Sequence, residues 1–187
     1  RSSEPGDCKY VLKQQEDNYE FRQEVRALHD LRKLKNVVYM YAAWTCNGEG
    51  YIIMETLEKC RPTYKEVLDV SNKIRAKGWT HIDSHRGNFM CRAGTNEVVA
   101  IDFGWAIKES DKTYENHQWA KNYPGITYED MKVFHNKLLA EHFLDPTDPN
   151  RSKILKPILE KYHKTLINLR KKQELRGRRQ GKPLTTK

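Results

Sequence analysis

Residues 81–106 read HIDSHRGNFMCRAGTNEVVAIDFGWA. An aspartate (Asp83), an asparagine five residues later (Asn88) and an Asp-Phe-Gly triplet (Asp102, Phe103, Gly104) follow one another within this stretch. Carboxylate and amide oxygens are hard ligands. They suit Mg²⁺, which keeps several waters and shares substrate phosphates. Asp83 and Asn88 are also common turn formers, so the metal-and-phosphate reading leans on Asp102, fourteen residues beyond Asn88. His81, Asp83 and His85 make an alternative donor set for a transition metal, which would leave the Asp-Phe-Gly without a role.

Outward from this stretch, the pattern predicts a short hairpin over Phe89–Cys91 and Val98–Ile101 around Gly94. Upstream, alternation over Cys8–Gln14 predicts a strand, with Tyr10 and Leu12 on one face and Lys9, Val11 and Lys13 on the other. Asp17 and Glu20 form a D-x-x-E capping box ahead of Phe21, Val25, Leu28, Leu31 and Leu34 at helical spacing. Val37–Trp44 and Tyr51–Met54 predict two strands joined by a turn at 47–50. Thr63 and Glu66 cap a helix over Tyr64–Lys77, which Gly78 ends. Downstream, residues 102–125 lack periodicity and read as a long loop, and Thr127 and Asp130 cap a helix to Phe143. Apolar residues from Ile154 to Leu169 give a long amphipathic helix. Gly177, Gly181 and Pro183 imply a flexible end, and no internal repeat is present.

A chain of 187 residues can bury a core without disulfides. Its four cysteines (Cys8, Cys46, Cys60, Cys91) are scattered, with no C-x-x-C pair and no zinc-type spacing. They read as thiols of a reducing compartment, the cytoplasm or the nucleus. No apolar run approaches the roughly 18 residues of a membrane span, and no signal-peptide pattern is visible. Charge is uneven. Of the 34 Lys/Arg and 25 Asp/Glu, ten and one fall in residues 161–187, leaving 24 of each in the rest. Such a tail is either a solvated helix end or a contact for RNA, DNA or an acidic protein surface.

The H-x-D-x-x-x-x-N loop, the glycine-centred hairpin and the D-F-G resemble the catalytic core of the protein-kinase-like superfamily. The resemblance covers residues 8–143. It implies an α+β, two-lobed fold with a reduced N-lobe (1–57), a compact helical C-lobe (58–172) and a basic tail (173–187). It implies ATP and Mg²⁺ as cosubstrate and cofactor, and phosphoryl transfer to a Ser or Thr hydroxyl of a protein. Asp83 would then orient the acceptor hydroxyl, while Asn88 and Asp102 would hold metal. Tyr-Val-Leu-Lys resembles the strand whose lysine, here Lys13, pairs the nucleotide phosphates. Its ion-pair partner on the following helix would be Glu24, with Glu20 as the alternative. Tyr51–Leu57 resembles the hinge, with Met54 behind the adenine and backbone groups of Glu55 to Leu57 at its edge.

Several positions depart from the family pattern. Only Gly6 precedes Lys13, so residues 1–13 show no glycine-rich phosphate loop, whether the protein lacks it or it lies upstream. Ile82 stands where many protein kinases carry Arg, which suggests activity that does not wait for phosphorylation of the activation segment. His85 stands in place of the usual Lys, and could still touch the γ-phosphate. H-x-D-x-H is closer to the RIO-like and tRNA-modification-complex kinases and to the aminoglycoside and lipopolysaccharide-sugar kinases. The tail is similar to the basic tail of the tRNA-modification-complex kinases. No A-P-E follows, and Trp105, Trp119 and Tyr123 fall where a substrate would approach or where the loop packs. The resemblance leaves two further functions open: a small-molecule phosphotransferase, or a nucleotide-binding regulator acting through a protein partner.

Overall fold

The structure is a computed structural model that describes residues 9–111 and 121–179, with side chains as far as Gly177. The fold is α+β. An antiparallel sheet of β1 (Tyr10–Glu16), β2 (Met40–Cys46) and β3 (Glu49–Glu55) has the order β1-β3-β2, so the strand nearest the C-terminus lies in the middle. β2 and β3 turn through Asn47 and Gly48, both at positive φ (52° and 82°). Asn-Gly is the pair that a two-residue hairpin of this hand prefers. On β3, Gly50, Ile52 and Met54 point into the core and alternate with half-exposed residues. β1 is an edge strand, and Tyr10, Val11 and Leu12 are all exposed.

α1 (Tyr19–Leu31) packs its buried face, including Phe21, Ala27, Leu28 and Leu31, against this sheet. Its cap is Asn18, whose side chain accepts from the Phe21 N–H at 3.1 Å. The expected Asp17–Glu20 box does not form. Asp17 accepts two hydrogen bonds from Arg22, and Glu20 accepts from the Trp105 indole at 3.0 Å. A charged partner outcompetes the helix's own N–H for an aspartate.

α2 (Tyr64–Arg75) has the expected Thr63–Glu66 capping box, and Gly78 at φ 75° follows its end. Two small ladders come next: β4 (Trp79–Thr80) with β7 (Ile107–Lys108), and β5 (Phe89–Cys91) with β6 (Val98–Ala100). The second is the expected hairpin. The first lies partly within the segment expected to be loop, because two residues are too short to show a period. α3 (Tyr128–Phe143) carries the expected Thr127–Asp130 box. α4 (Arg151–Arg179) crosses it and continues unbroken past Lys172, so the basic tail begins as helix.

The core has two parts. The larger joins the sheet, α1, α2 and the β5–β6 hairpin. The smaller gathers Ile82, Ile107, Tyr128, Met131, Phe134 and Leu169 where α3 and α4 meet the 81–108 region. No described helix is long and apolar enough to cross a membrane.

One feature overturns the cysteine expectation. Cys60 and Cys91 form a disulfide. They are brought together because Glu58 and Cys91 exchange backbone hydrogen bonds at 2.8 and 2.9 Å, a pairing that spacing alone does not display. The cysteines therefore give no argument for a reducing compartment. Cys46 is free and exposed, and Cys8 lies outside the described residues. Cys60→Ser is expected to lower unfolding free energy by about 2–4 kcal/mol, the usual cost of opening a cross-linked loop. Urea titration without reductant measures this, and the difference from wild type should vanish in dithiothreitol.

Candidate functional site

Lys13 sits on the inward face of β1, paired with Ile52 across the ladder. Its Nζ lies 2.8 Å from Glu24 Oε2 and 3.0 Å from Asp102 Oδ1. The eleven residues between Lys13 and Glu24 suffice because α1 folds straight back along β1. Three strand residues advance about 10 Å, and five helical residues return about 8 Å, which brings the two side chains level. The Asp17 N–H, bonded to Gly48 O at 2.9 Å, fixes the corner. Glu20, engaged by Trp105, is not the partner.

Glu24 is wholly buried, and Gln15 adds a second donor at 3.1 Å. Burial pushes the Glu24 carboxyl up from its ordinary range, opposed by the Lys13 charge and hydrogen bond. Burial also acts against the Lys13 charge, but Glu24 and then Asp102 outweigh it and the lysine is held protonated above its usual range. The ammonium is therefore the shared counter-charge of two carboxylates.

The 81–88 segment is braced from behind. His81 is buried, and its Nε2 meets Ile101 O at 2.7 Å. A carbonyl can only accept, so that nitrogen carries the proton. Burial lowers the His81 pKa and keeps the ring neutral. Ile101 N donates in turn to Asn88 O at 3.0 Å. His81, Asn88 and the residue before Asp102 are thus tied by two hydrogen bonds. Ser84 Oγ lies 3.1 Å from His135 Nδ1 of α3, both buried. Ile82 (φ 68°) and Asp102 (φ 61°) both adopt left-handed backbone. For a β-branched residue this costs about 1–2 kcal/mol, and burial of Ile82 in the smaller core offsets it.

Asn88 donates its amide N–H₂ to Asp83 O at 2.8 Å and to Asp83 Oδ2 at 3.0 Å. Two acceptors fix the amide's orientation, and Oδ1 accepts no hydrogen bond among the described residues. Asp102 is half exposed, with Oδ1 toward Lys13. An amide oxygen and a carboxylate fit Mg²⁺, which takes few protein oxygens. Of the transition-metal donor set, His81 uses Nε2 on Ile101 O, and no cluster of three His, Cys, Asp or Glu suited to a metal is formed among the described residues. His85 is exposed, with Nε2 3.6 Å from Asp83 Oδ2 and Nδ1 accepting from Gly87 N–H.

Met54 is buried in the larger core and Leu57 packs against it. Glu55 is committed within the fold: its carboxylate takes two hydrogen bonds from Arg92 and one from Tyr39 N–H, and its own N–H donates to Tyr39 O. Arg92, which also pairs with Glu97, was not visible as a structural residue in the sequence, nor were Gln15, Ser84 and His135. Arg92 reaches Glu55 and Ser84 reaches His135 across long sequence separations, while Gln15 reaches Glu24 over nine residues around the β1–α1 corner. Trp105 is bonded to Glu20, Tyr123 packs on Phe134, and Trp119 lies outside the described residues.

Among known proteins, no family model and no curated sequence matches the chain.

Lys13→Met leaves Glu24 buried without its cation. It is expected to cost about 2–3 kcal/mol, less than for a wholly buried pair because Lys13 is 26% exposed. Adding Glu24→Leu should recover most of the loss in urea titrations. Burial holds His135 neutral, well below its ordinary 6.5. Its stabilising contribution is therefore present above pH 6.5 and lost as pH falls toward the lower native value. The urea midpoint should drop between pH 7.5 and 5, and His135→Asn should shrink that drop.

Proposed function

We propose that the chain is a protein-kinase-like phosphotransferase that moves the γ-phosphoryl group of ATP to a Ser or Thr hydroxyl of a protein. On this reading the β1–β3 sheet with α1 is a reduced N-lobe, and the helices from α2 onward are a compact C-lobe. One observation carries the proposal. Lys13 bonds both Glu24 and Asp102, the residue before Asp102 donates to Asn88 O, and Asn88 holds Asp83, so residues of four separated segments are linked in one chain of contacts. Asp102 is half exposed beside a partly exposed lysine, so both can be reached from solvent.

Phosphoryl transfer asks a protein mainly for positioning and charge. Glu24 aims the Lys13 ammonium, which would donate to phosphate oxygens. Asn88 holds the Asp83 carboxylate, so that its oxygen is fixed when an acceptor hydroxyl arrives. The hydroxyl oxygen forms the new P–O bond and the bond to the ADP oxygen breaks. The hydroxyl proton passes to Asp83. Asn88 Oδ1 and Asp102 would hold Mg²⁺, which supplies charge neutralisation on the phosphates when bound.

The test is label transfer from [γ-³²P]ATP with Mg²⁺, to protein acceptors and to a sugar and aminoglycoside panel. Asp83→Ala is expected to lower transfer to protein by about 10²–10⁴-fold, the range for a general base, while nucleotide still binds. Asp102→Ala should also weaken Mg²⁺-dependent nucleotide binding. Equal transfer by wild type and Asp83→Ala would remove the assignment. Label on a small molecule would replace the protein acceptor.

A further inference from the structure

Four residues of α1 reach the chain that follows Asp102. Glu20 accepts the Trp105 indole N–H at 3.0 Å. Gln23 donates its amide to Ala106 O at 2.9 Å. Arg26 forks onto Asp111 at 2.8 and 3.0 Å. Asp30 accepts from Lys108 at 2.6 Å and from the Trp79 indole at 3.3 Å. Positions three and four apart share one side of a helix. Glu24, which holds Lys13, adjoins them on that side.

These contacts are unequal. Arg26–Asp111 and Asp30–Lys108 lie toward solvent, where an ion pair contributes little. Gln23 is only 5% exposed. A buried amide costs free energy unless it is hydrogen-bonded, and its bond crosses from α1 to the turn that Ala106 N–H closes onto Phe103 O at 3.0 Å. Phe103 and Ala106 are fully buried in the larger core beside Ala27 and Leu28 of α1. Gly104 packs on the first turn of the helix, since a Cβ there would lie 3.4 Å from Glu20 Cβ. The site and this seam share the same two segments. Lys13 joins Glu24 to Asp102, and one helical turn away Trp105 joins Glu20. α1 cannot turn or slide away from Lys13 without releasing Trp105 and Ala106.

We infer that Gln23 and Trp105 are positioning residues that lock α1 to residues 102–106, so that Glu24 meets Lys13 through contacts internal to the fold, without a modified residue or a partner to push the helix into place. The lock itself is a property of the fold. Its consequence, a lysine set ready for nucleotide phosphates, rests on the phosphotransfer reading.

The first measurement does not depend on turnover. The full chain is trace-acetylated with acetic anhydride, and mass spectrometry reads Lys13 relative to the exposed Lys153. Lys13, bonded to two carboxylates, should react more slowly than Lys153 in wild type. Trp105→Phe keeps a ring and removes the N–H; Gln23→Met keeps the length and removes the donor. Each should raise the relative rate at Lys13 about 3–10-fold, the population shift that the net worth of one hydrogen bond supports. Glu20→Ala should match Trp105→Phe, and the two together should do no more than either alone. Glu20→Gln, whose amide oxygen still accepts the indole N–H, should stay near wild type. Thermal melts separate loss of fold from loss of the lock. Unchanged Lys13 reactivity in folded Trp105→Phe and Gln23→Met overturns the inference; if Gln23→Met does not fold, Trp105→Phe and Glu20→Ala decide.

The second measurement is transfer from [γ-³²P]ATP to casein. The same variants should raise the KM for ATP by a similar factor and leave the KM for casein unchanged. Faster Lys13 acetylation in the variants, with no transfer to any acceptor by wild type, leaves the lock standing and removes the phosphotransfer reading. Transfer by wild type with one KM for ATP across all folded variants overturns the positioning role.

Discussion

The Lys13 ammonium, held between the Glu24 and Asp102 carboxylates, is the interaction on which the arrangement depends. It joins β1, α1 and the segment after β6. Burial makes Glu24 tolerable only as part of an ion pair, since an unpaired buried carboxylate would take up a proton or open the structure. The lysine cannot leave without cost, and its second bond reaches the more exposed Asp102. One charge therefore ties the sheet to the segment after β6, while the lysine stays partly exposed.

A second set of ties fastens the sheet to the hairpin next to that segment. Arg92 grips Glu55 at the end of β3 and Glu97 beside β6. The Glu58–Cys91 backbone pair and the Cys60–Cys91 disulfide bind the following linker to β5. β5 begins immediately after Asn88, so the position of Asn88 relative to Lys13 is set from both ends. The strained backbone at Ile82 and Asp102 is affordable in this frame because the hydrogen bonds of His81, Asn88 and Ile101 and two cores surround it.

Much of the local structure was legible in the residue order. Capping boxes at Thr63–Glu66 and Thr127–Asp130 are local devices, and both formed. The Asn47-Gly48 turn and the Phe89–Ala100 hairpin depend on neighbours a few residues away, and they too appear. The failures share a cause. Asp17 and Glu20 had partners, Arg22 and Trp105, that propensity could not weigh against the local cap. The Cys60–Cys91 bond, the Arg92 cluster and the β4–β7 ladder each join residues that only folding brings together.

The sequence by itself determined which chemistry-bearing residues the chain owns and where its helices, turns and hairpin start, because caps, glycine conformers and periodicity act over three to seven residues. Tertiary structure alone decided which acid partners Lys13, which atoms of Asn88 are spent on Asp83, and where His81 spends its proton. The reason is physical. Ion pairing and burial depend on distances through space, and those are set by the packing of α1, α2 and the β5–β6 hairpin into one core.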